Sequence, residues 1–331
     1  MKKTASPFVI TKDILRDGES LVLPSISVKT EKHIAFTCDL GAPFGGKLLI
    51  GHGKDITAAS WLEITADTVG AYAYYTYMEE PLRPLFDAPI AHGLSVYGTL
   101  SVIIDADPFS GRRFALIGTP AGQKKIELRG WDGCNGEIFV KTEGAELKNC
   151  RFSWFSGGFS RRVWVLGDSY LGLSEKRWPY YLMRDGYTDL MLSGFPGMGS
   201  EPAVMQFELL AEKGAPEYAV FALGMNDGDE DGVIRARYLS SVEKFLKICK
   251  EKGITPILAT IPNTPVVDNR YKNEWVRSQS YRYIDFARAV GSDTDVNWYE
   301  GMLSEDLVHP DVKGAQALYM QVLCDFPEIM Q

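Results

Sequence analysis

Residues 162–170 of this chain read Arg-Val-Trp-Val-Leu-Gly-Asp-Ser-Tyr. The apolar run within Arg162–Leu166 predicts a short buried β-strand. The Gly-Asp-Ser that follows predicts a tight turn, because glycine and aspartate both favour turn conformations. We therefore expect Ser169 to lie on a turn just beyond the end of a strand.

After this stretch, predicted strands alternate with predicted helices. Further strands are predicted over Asp189–Leu192, Tyr218–Leu223 and Pro256–Ile261. Helices are predicted over Trp178–Arg184, Glu201–Lys213, Val233–Lys252, Asn273–Val290 and Asp311–Leu323. Such alternation is typical of a parallel sheet with helices on both faces. In these sheets, ligands bind beyond the carboxyl ends of the strands.

Polar or glycine-rich segments follow three of the predicted strands. They are Gly167–Tyr170, Ser193–Gly199 and Gly224–Asp227, and a fourth segment, Asp306–Pro310, precedes the last helix. Acyl transfer needs an exposed hydroxyl nucleophile, a base within hydrogen-bond reach, and an acid that orients the base. Ser169, His309 and Asp306 supply these three groups.

The same chemistry needs donors for the oxygen that becomes negative in the tetrahedral intermediate. The backbone N–H groups of Ser169 and Gly197 and the side-chain amide of Asn226 are the predicted donors. Gly194 and Gly199 lie close enough in sequence to replace Gly197, so this position stays open. No metal ion or organic cofactor is required.

The segments Gly-Asp-Ser, the glycine block, Gly-x-Asn-Asp and Asp-x-x-His-Pro resemble, in this order, the four blocks of the SGNH (GDSL-like) hydrolases. The resemblance covers about residues 162–325 and implies a flavodoxin-like three-layer α/β/α fold. It also implies the roles given above for Ser169, Asp306, His309, Gly197 and Asn226. The family usually has leucine after the serine, where this chain has Tyr170.

The main alternative hydrolase fold, the α/β-hydrolase, requires Gly-x-Ser-x-Gly around its nucleophile. The second residue after Ser169 is Leu171, and no other serine of the chain fits that pattern.

The N-terminal half has a different sequence pattern. Short apolar or alternating runs are separated by turn signals such as Asn135-Gly136. Strands are predicted over Ile26–Val28, His33–Cys38, Lys47–Ile50, Ala71–Thr76, Leu100–Ile104, Arg113–Ile117, Lys125–Leu128 and Glu137–Val140. Many short strands at such spacing predict an all-β sandwich or jelly roll. Segments such as Gly130-Trp131-Asp132-Gly133 give this half a weak resemblance to the concanavalin A-like (LamG-like) sandwiches.

We expect two domains, a β-sandwich over residues 1–158 and a hydrolase domain over residues 159–331, joined by a linker at Ser156–Ser160. A substrate-binding or accessory role for the first domain is left open.

The net charge of −8 and isoelectric point near 5.2 argue against a partner such as nucleic acid. No run approaches the roughly 20 apolar residues of a membrane span. The five scattered cysteines and the lack of an apolar run of roughly 7–15 residues near the N-terminus predict a cytoplasmic protein. A chain whose leader had been removed would look the same.

Several other features are interpreted as structural. Asp227–Gly232 resembles half of a calcium loop, but its twelfth position is Tyr238, so an acidic loop before a helix is favoured. His33, His52 and His92 have no metal-ligand spacing. Trp164 is expected in the core. The alternating Tyr72, Tyr74, Tyr75 and Tyr77 favour cross-strand packing over stacking on sugar rings.

The predicted function is a serine esterase that hydrolyses oxygen esters, with a short acyl group such as acetyl on a carbohydrate as the expected substrate. Phe195, Pro196 or Met198 beside the nucleophile could crowd the acyl side. Three alternatives stay open: a lysophospholipase or thioesterase of the same family, a carbohydrate-binding protein with an inactive hydrolase domain, and a phosphodiester or sulfate ester hydrolase. The oligomeric state is not predicted.

Overall fold

The computed structural model describes residues 8–23, 32–41, 44–53, 59–73, 90–91, 93–94, 97–106, 113–128, 137–172, 174–187, 189–194, 196–228, 232–292 and 297–331. The protein is a mixed α/β chain whose described residues divide into two compact units between Gly157 and Gly158. The sequence-based boundary was placed one residue later, after Gly158.

The N-terminal unit is built from antiparallel β-strands in two six-stranded sheets. Its strands are β1 (Phe8–Leu15), β2 (Ser20–Leu23), β3 (Lys32–Leu40), β4 (Lys47–Gly53), β5 (Ala59–Ile64), β6 (Thr68–Ala73), β7 (Ile90–Ala91), β8 (Gly98–Ala106), β9 (Arg113–Thr119), β10 (Gly122–Leu128), β11 (Glu137–Glu143) and β12 (Leu147–Ser156). One sheet has the order β1-β12-β3-β8-β9-β10 and the other β2-β11-β4-β5-β6-β7.

Residues along these strands alternate between buried and more exposed positions, as along β11, where Ile138, Val140 and Thr142 are buried. The strand predicted over Ala71–Thr76 begins earlier, at Thr68, and its described part ends at Ala73. The predicted strand Ile26–Val28, the turn Asn135-Gly136 and residues 130–133 lie outside the described residues. The jelly-roll arrangement stays a prediction.

The C-terminal unit contains a five-stranded parallel sheet with the order β14-β13-β15-β16-β17. The strands are β13 (Val163–Gly167), β14 (Leu190–Ser193), β15 (Tyr218–Ala222), β16 (Thr255–Ala259) and β17 (Tyr283–Ile284). The helices are α1 (Trp178–Arg184), α2 (Ser200–Ala211), α3 (Gly232–Lys252), α4 (Arg270–Ser278), α5 (Phe286–Val290) and α6 (Val312–Asp325). The order 2-1-3-4-5 is that of flavodoxin-like sheets.

Successive residues of the central strand β13 face opposite sides of the sheet. Val163 and Val165 join a core cluster with residues of α1, α5 and α6. Trp164 instead packs edge-to-face on Phe207 of α2, with 6.3 Å between ring centroids, and is fully buried as predicted. Helices therefore cover both faces of the parallel sheet.

The helix predicted over Asn273–Val290 is wrong. Helix α4 ends at Ser278, Gln279 is extended, and β17 pairs in parallel with the end of β16 before α5 begins. The pairing with β16 outweighs the local helical pattern, because tertiary context routinely overrides helix propensity. Asp285, between β17 and α5, caps the new helix by accepting a hydrogen bond from the backbone N–H of Arg288.

The segment predicted as a linker, Ser156–Ser160, has regular secondary structure. β12 continues to Ser156, and residues Gly157–Ser160 form a 3-10 turn. Phe159 is only 2% exposed, and the carbonyl of Gly158 accepts a hydrogen bond from the Trp164 indole at 3.1 Å. In the described part of the chain, no helix is long and apolar enough to cross a membrane.

Candidate active site

Ser169 begins a 3-10 turn, Ser169–Leu171, directly after β13. The Asp168 carboxylate accepts a hydrogen bond from the backbone N–H of Tyr170 at 3.0 Å and so caps this turn. The turn lies at the carboxyl end of a central parallel strand, where the sheet topology predicts a ligand crevice. The sequence-based placement of Ser169 agrees with this local geometry.

His309 reaches Ser169 across 140 positions of sequence. The distance from His309 Nε2 to Ser169 Oγ is 2.7 Å, and that from His309 Nδ1 to Asp306 Oδ2 is also 2.7 Å. The structure therefore brings the predicted serine, histidine and aspartate into one continuous hydrogen-bonded array. In this array Nδ1–H donates to the carboxylate, which leaves Nε2 to accept the serine proton.

The carboxylate of Asp306 is held ionised by its surroundings. Burial alone would raise its pKa, but hydrogen bonds from the backbone N–H groups of His309 and Val308, together with the His309 ring, lower that pKa to about 2. The Asp306 side chain is still 52% exposed, and that of His309 is 24% exposed. The Asp306 carboxylate therefore keeps its charge while remaining in contact with solvent.

The three glycines proposed as alternatives for one oxyanion donor differ in their surroundings. A Cβ on Gly194 would lie 1.8 Å from the carbonyl oxygen of Gly167. Gly194 therefore allows its backbone to approach that of Gly167 closely, which a residue with a side chain would prevent. Gly199 is the N-cap residue of α2. Gly197 is exposed with a φ of 78°, and its N–H makes no hydrogen bond within the described part of the chain.

Asn226 lies on a second 3-10 turn, Met225–Asp227, directly beyond β15. Its amide Nδ2 donates to Met198 O at 3.1 Å and to Asp168 Oδ2 at 3.3 Å. Asn226 is exposed, but a substrate oxygen would compete with these two acceptors for its protons. Met198 is buried, at 1% exposure, and Phe195 lies outside the described residues, so the crowding of the acyl side stays a prediction.

Asp227 has a role that the sequence did not reveal. Its buried carboxylate accepts hydrogen bonds from the backbone N–H of Ser200, at 3.1 Å, and from the Ser200 hydroxyl, at 2.6 Å. These contacts satisfy the first turn of α2, where negative charge is favoured. The rest of the acidic loop, residues 229–231, lies outside the described residues.

Tyr170 directly follows Ser169 in the sequence. Its hydroxyl donates to the carbonyl of Val308 at 2.5 Å, and its ring lies 5.8 Å from that of His309. Burial raises the pKa of this phenol well above its ordinary value. Tyr170 therefore links the turn of Ser169 directly to the turn of His309. Only the folded chain reveals this contact.

Two further side chains contact these turns. The Ser304 hydroxyl donates to His309 O at 2.7 Å, and Arg177 Nε donates to Ser169 O at 2.6 Å. Serine and arginine carry no local signal for such contacts, because their partners are set by the fold.

The remaining described candidates, His33, His52 and Tyr72, belong to the N-terminal unit. His33 Nδ1 is 2.9 Å from Asp105 Oδ2, His52 is buried, and His92 lies outside the described residues. Tyr72 stacks on Trp61 at 5.4 Å between ring centroids, while Tyr74, Tyr75 and Tyr77 lie outside the described residues. Within the described ranges, no group of three or more His, Cys, Asp or Glu side chains is arranged to hold a metal ion.

The fold and the site define a class of protein: a doubly wound α/β unit with a Ser–His–Asp array beyond the carboxyl ends of its parallel strands. No protein-family model matches the sequence, and no curated protein does.

Solved structures similar to about half of this chain include GDSL-family esterases and lipases. A GDSL-like lipase from Bacteroides thetaiotaomicron is 15% identical, with 51% of this chain and 88% of that one covered and a TM-score of 0.41. A carbohydrate esterase family 3 protein from Talaromyces cellulolyticus is 16% identical, with coverages of 51% and 98% and a TM-score of 0.40. A mutant acetyl esterase with an acetate ion is 18% identical, with coverages of 51% and 98% and a TM-score of 0.40.

Proposed function

We propose that this protein is a serine esterase that cleaves oxygen esters through an acyl-enzyme. The observation that carries this proposal is the continuous array Ser169–His309–Asp306, in which both contacts of the histidine ring are 2.7 Å. A serine hydroxyl is a weak nucleophile until an adjacent base takes its proton, and this geometry places such a base within reach.

In the proposed reaction, His309 Nε2 takes the proton of Ser169 Oγ as this oxygen attacks the ester carbonyl carbon. The tetrahedral intermediate collapses, the bond to the alcohol oxygen breaks, and His309 gives its proton to the leaving alcohol. Water, deprotonated by His309, then attacks the acyl-enzyme and releases the carboxylic acid, and Ser169 regains its proton. The carboxylate of Asp306 stabilises the imidazolium that forms twice in this cycle.

The negative oxygen of each tetrahedral intermediate would be stabilised by the N–H groups of Ser169 and Gly197 and by the Asn226 amide. Support for Gly197 comes from its exposed position and from its N–H, which makes no hydrogen bond within the described residues, whereas Gly194 and Gly199 have the structural roles described above. Asn226 would exchange one of its present acceptors for the substrate oxygen.

The substrate we propose carries a short acyl group such as acetyl, on a carbohydrate or similar polyol. A cavity of about 20 Å³ lies against the nucleophile turn and is lined by residues that include Asp168, Tyr170, Trp178, Leu223, Ile261 and Phe286. Ser169, His309 and Asn226 are not among its lining residues, so its volume gives no measure of the acyl site. Support for a short acyl group comes from the sequence, which has no long apolar segment to shelter a fatty chain. We further propose that the N-terminal unit is a jelly-roll-like sandwich with a substrate-binding or accessory role.

Ser169→Ala tests the reaction. We expect this variant to lose nearly all turnover of p-nitrophenyl acetate while its thermal unfolding stays unchanged, because only one small hydroxyl is removed. A fluorophosphonate should label the wild-type protein at Ser169. Substantial turnover by Ser169→Ala would refute the assignment of the nucleophile.

The length of the acyl group is tested by kcat/KM for p-nitrophenyl acetate, butyrate, octanoate and laurate. We expect a steep fall after acetate or butyrate, since burial of each further CH₂ is worth about 0.8 kcal/mol and the sequence has no long apolar segment to provide that burial. A rise toward octanoate would instead favour the lysophospholipase or thioesterase alternative. Release of acetate from an acetylated oligosaccharide would support the carbohydrate substrate.

A further inference from the structure

Lys272, in the first turn of α4, is a fully buried lysine with 0% exposure. Its ammonium donates to the carbonyls of Gly224 and Gly228, at 2.7 and 2.6 Å, and to Asn269 Oδ1 at 2.7 Å. A buried charge is costly unless it is hydrogen-bonded, and an ammonium has three protons to place. Here each proton has an acceptor, so the side chain has one well-defined position.

Two of these acceptors bracket the turn that carries Asn226. Gly224 precedes Met225–Asp227 and Gly228 follows it, so one ammonium joins the two ends of the turn. Gly224 has a φ of 137° and Gly228 a φ of 82°, a backbone conformation that L-residues rarely adopt. The Lys272 ammonium therefore stabilises a turn whose own backbone has little local preference for this shape.

The surroundings of the ammonium are themselves fixed. Its Nζ lies 5.7 Å from the ring centroid of Tyr238 and 5.2 Å from that of Tyr271, within the range of cation–π attraction. Asn269 is fully buried, and its amide Nδ2 donates to Pro262 O at 3.0 Å. This contact directs the other amide atom, Oδ1, toward Lys272.

We propose that Lys272 is a positioning residue that holds the Asn226 amide where it can donate to the oxyanion. This inference rests on the proposed function and adds to it the residue that fixes the third donor. Oxyanion donors act because they are preorganised, and a displacement of about 1 Å can cost on the order of 10²-fold in rate. Lys272 does not touch the substrate and acts only through the turn.

The test is a double-mutant cycle with Lys272→Met and Asn226→Ala, measured on p-nitrophenyl acetate. Methionine is unbranched and one heavy atom shorter than lysine, and it removes the charge and the donors. We expect Lys272→Met to lower kcat about 10- to 100-fold with little change in KM, since the donor acts mainly in the transition state. In the Asn226→Ala background, the same substitution should lower kcat by no more than about twofold, because coupled residues are not additive.

Two controls separate positioning from general loss of stability. Lys244→Met removes an exposed lysine that pairs with Glu208 at 2.7 Å and should leave kcat unchanged. Val322→Ala creates a cavity in α6, in a core cluster that contains neither Lys272 nor Asn226, and should lower the midpoint of urea unfolding while kcat is retained. If Lys272→Met does not fold, the cycle is run with Lys272→Gln.

A second readout does not depend on activity. The side-chain amide resonances of Asn226, assigned by their loss in Asn226→Ala, should shift or broaden in the Lys272 variant and stay unchanged in Val322→Ala. Full additivity of the cycle, or an unchanged Asn226 amide, would overturn the positioning role. If Ser169→Ala showed that no Ser169-dependent esterase exists, the proposed function would fail and the amide resonances would still decide the role of Lys272.

Discussion

Of the three turns that carry the predicted catalytic groups, those of His309 and Asn226 are held in different ways. The turn Asp306–His309 includes Leu307 at a φ of 60°. Hydrogen bonds from the Ser304 and Tyr170 hydroxyls and to the half-exposed Asp306 carboxylate stabilise it. The turn Met225–Asp227 is held from inside by Lys272, which is fully buried.

The difference follows from what each turn has to do. In the proposed reaction His309 gains and loses a proton, and its turn lies where solvent and a charged carboxylate can stabilise the imidazolium. Asn226 stays neutral and has only to keep its position, which a desolvated, fully hydrogen-bonded cation can secure. The first turn should therefore respond to changes in single polar groups and to pH, and the second should depend on two buried residues, Lys272 and Asp227.

Asp306→Asn should give the largest effect on the histidine turn. The Asn amide would donate to His309 Nδ1, which moves the ring proton to Nε2 and removes the acceptor for the serine proton. We expect kcat to fall by up to ~10⁴-fold, as in other serine triads, in stopped or continuous assays with p-nitrophenyl acetate. Glu305→Gln, which changes the neighbouring exposed carboxylate, is the matched control and should retain full activity.

Tyr170→Phe should have a smaller effect on the same turn. The change removes the 2.5 Å hydrogen bond to Val308 O and keeps the ring against His309. Loss of one hydrogen bond of about 1 kcal/mol predicts a fall in kcat of roughly tenfold or less, with KM retained. Tyr180→Phe is the matched control. If kcat and stability were both unchanged in Tyr170→Phe, Ser304 and Asp306 alone would suffice to hold the turn.

The smallest expected effect is on the pH dependence of stability. The pKa of Asp306 is lowered to about 2 in the folded chain from an ordinary value of 3.8. A group with a depressed folded-state pKa stabilises the protein above its unfolded-state pKa, and that stabilisation is lost as pH falls through the folded value.

The stability difference between wild type and Asp306→Asn, measured by urea unfolding, should therefore be constant above about pH 5 and shrink between pH 4 and 2. A difference that stayed constant down to pH 2 would show that the carboxylate is not stabilised by its hydrogen bonds.

Prediction from sequence succeeded where the signal is local. Ser169 follows an apolar strand directly, and Asp306 and His309 are three residues apart, so both short segments show their geometry in the sequence. It failed over Asn273–Val290, where two helices flank a two-residue strand that exists only because it pairs with β16. Tyr170 and Lys272 were not identified as positioning residues, since their partners lie 138 and 48 positions away.

The amino-acid sequence by itself determined the alternation of strands and helices after residue 162, the turn that presents Ser169, and the polar residues at successive strand ends. These follow from hydrophobic periodicity and turn propensity, which act over a few residues. Only the tertiary structure decided that Gly194 lies against the backbone of Gly167 while Gly197 is exposed. It also decided that Tyr170 joins the turns of Ser169 and His309, and that the buried Lys272 holds the turn of Asn226. Each of these depends on groups that are far apart in the sequence and close together in the fold. No local sequence pattern encodes such contacts.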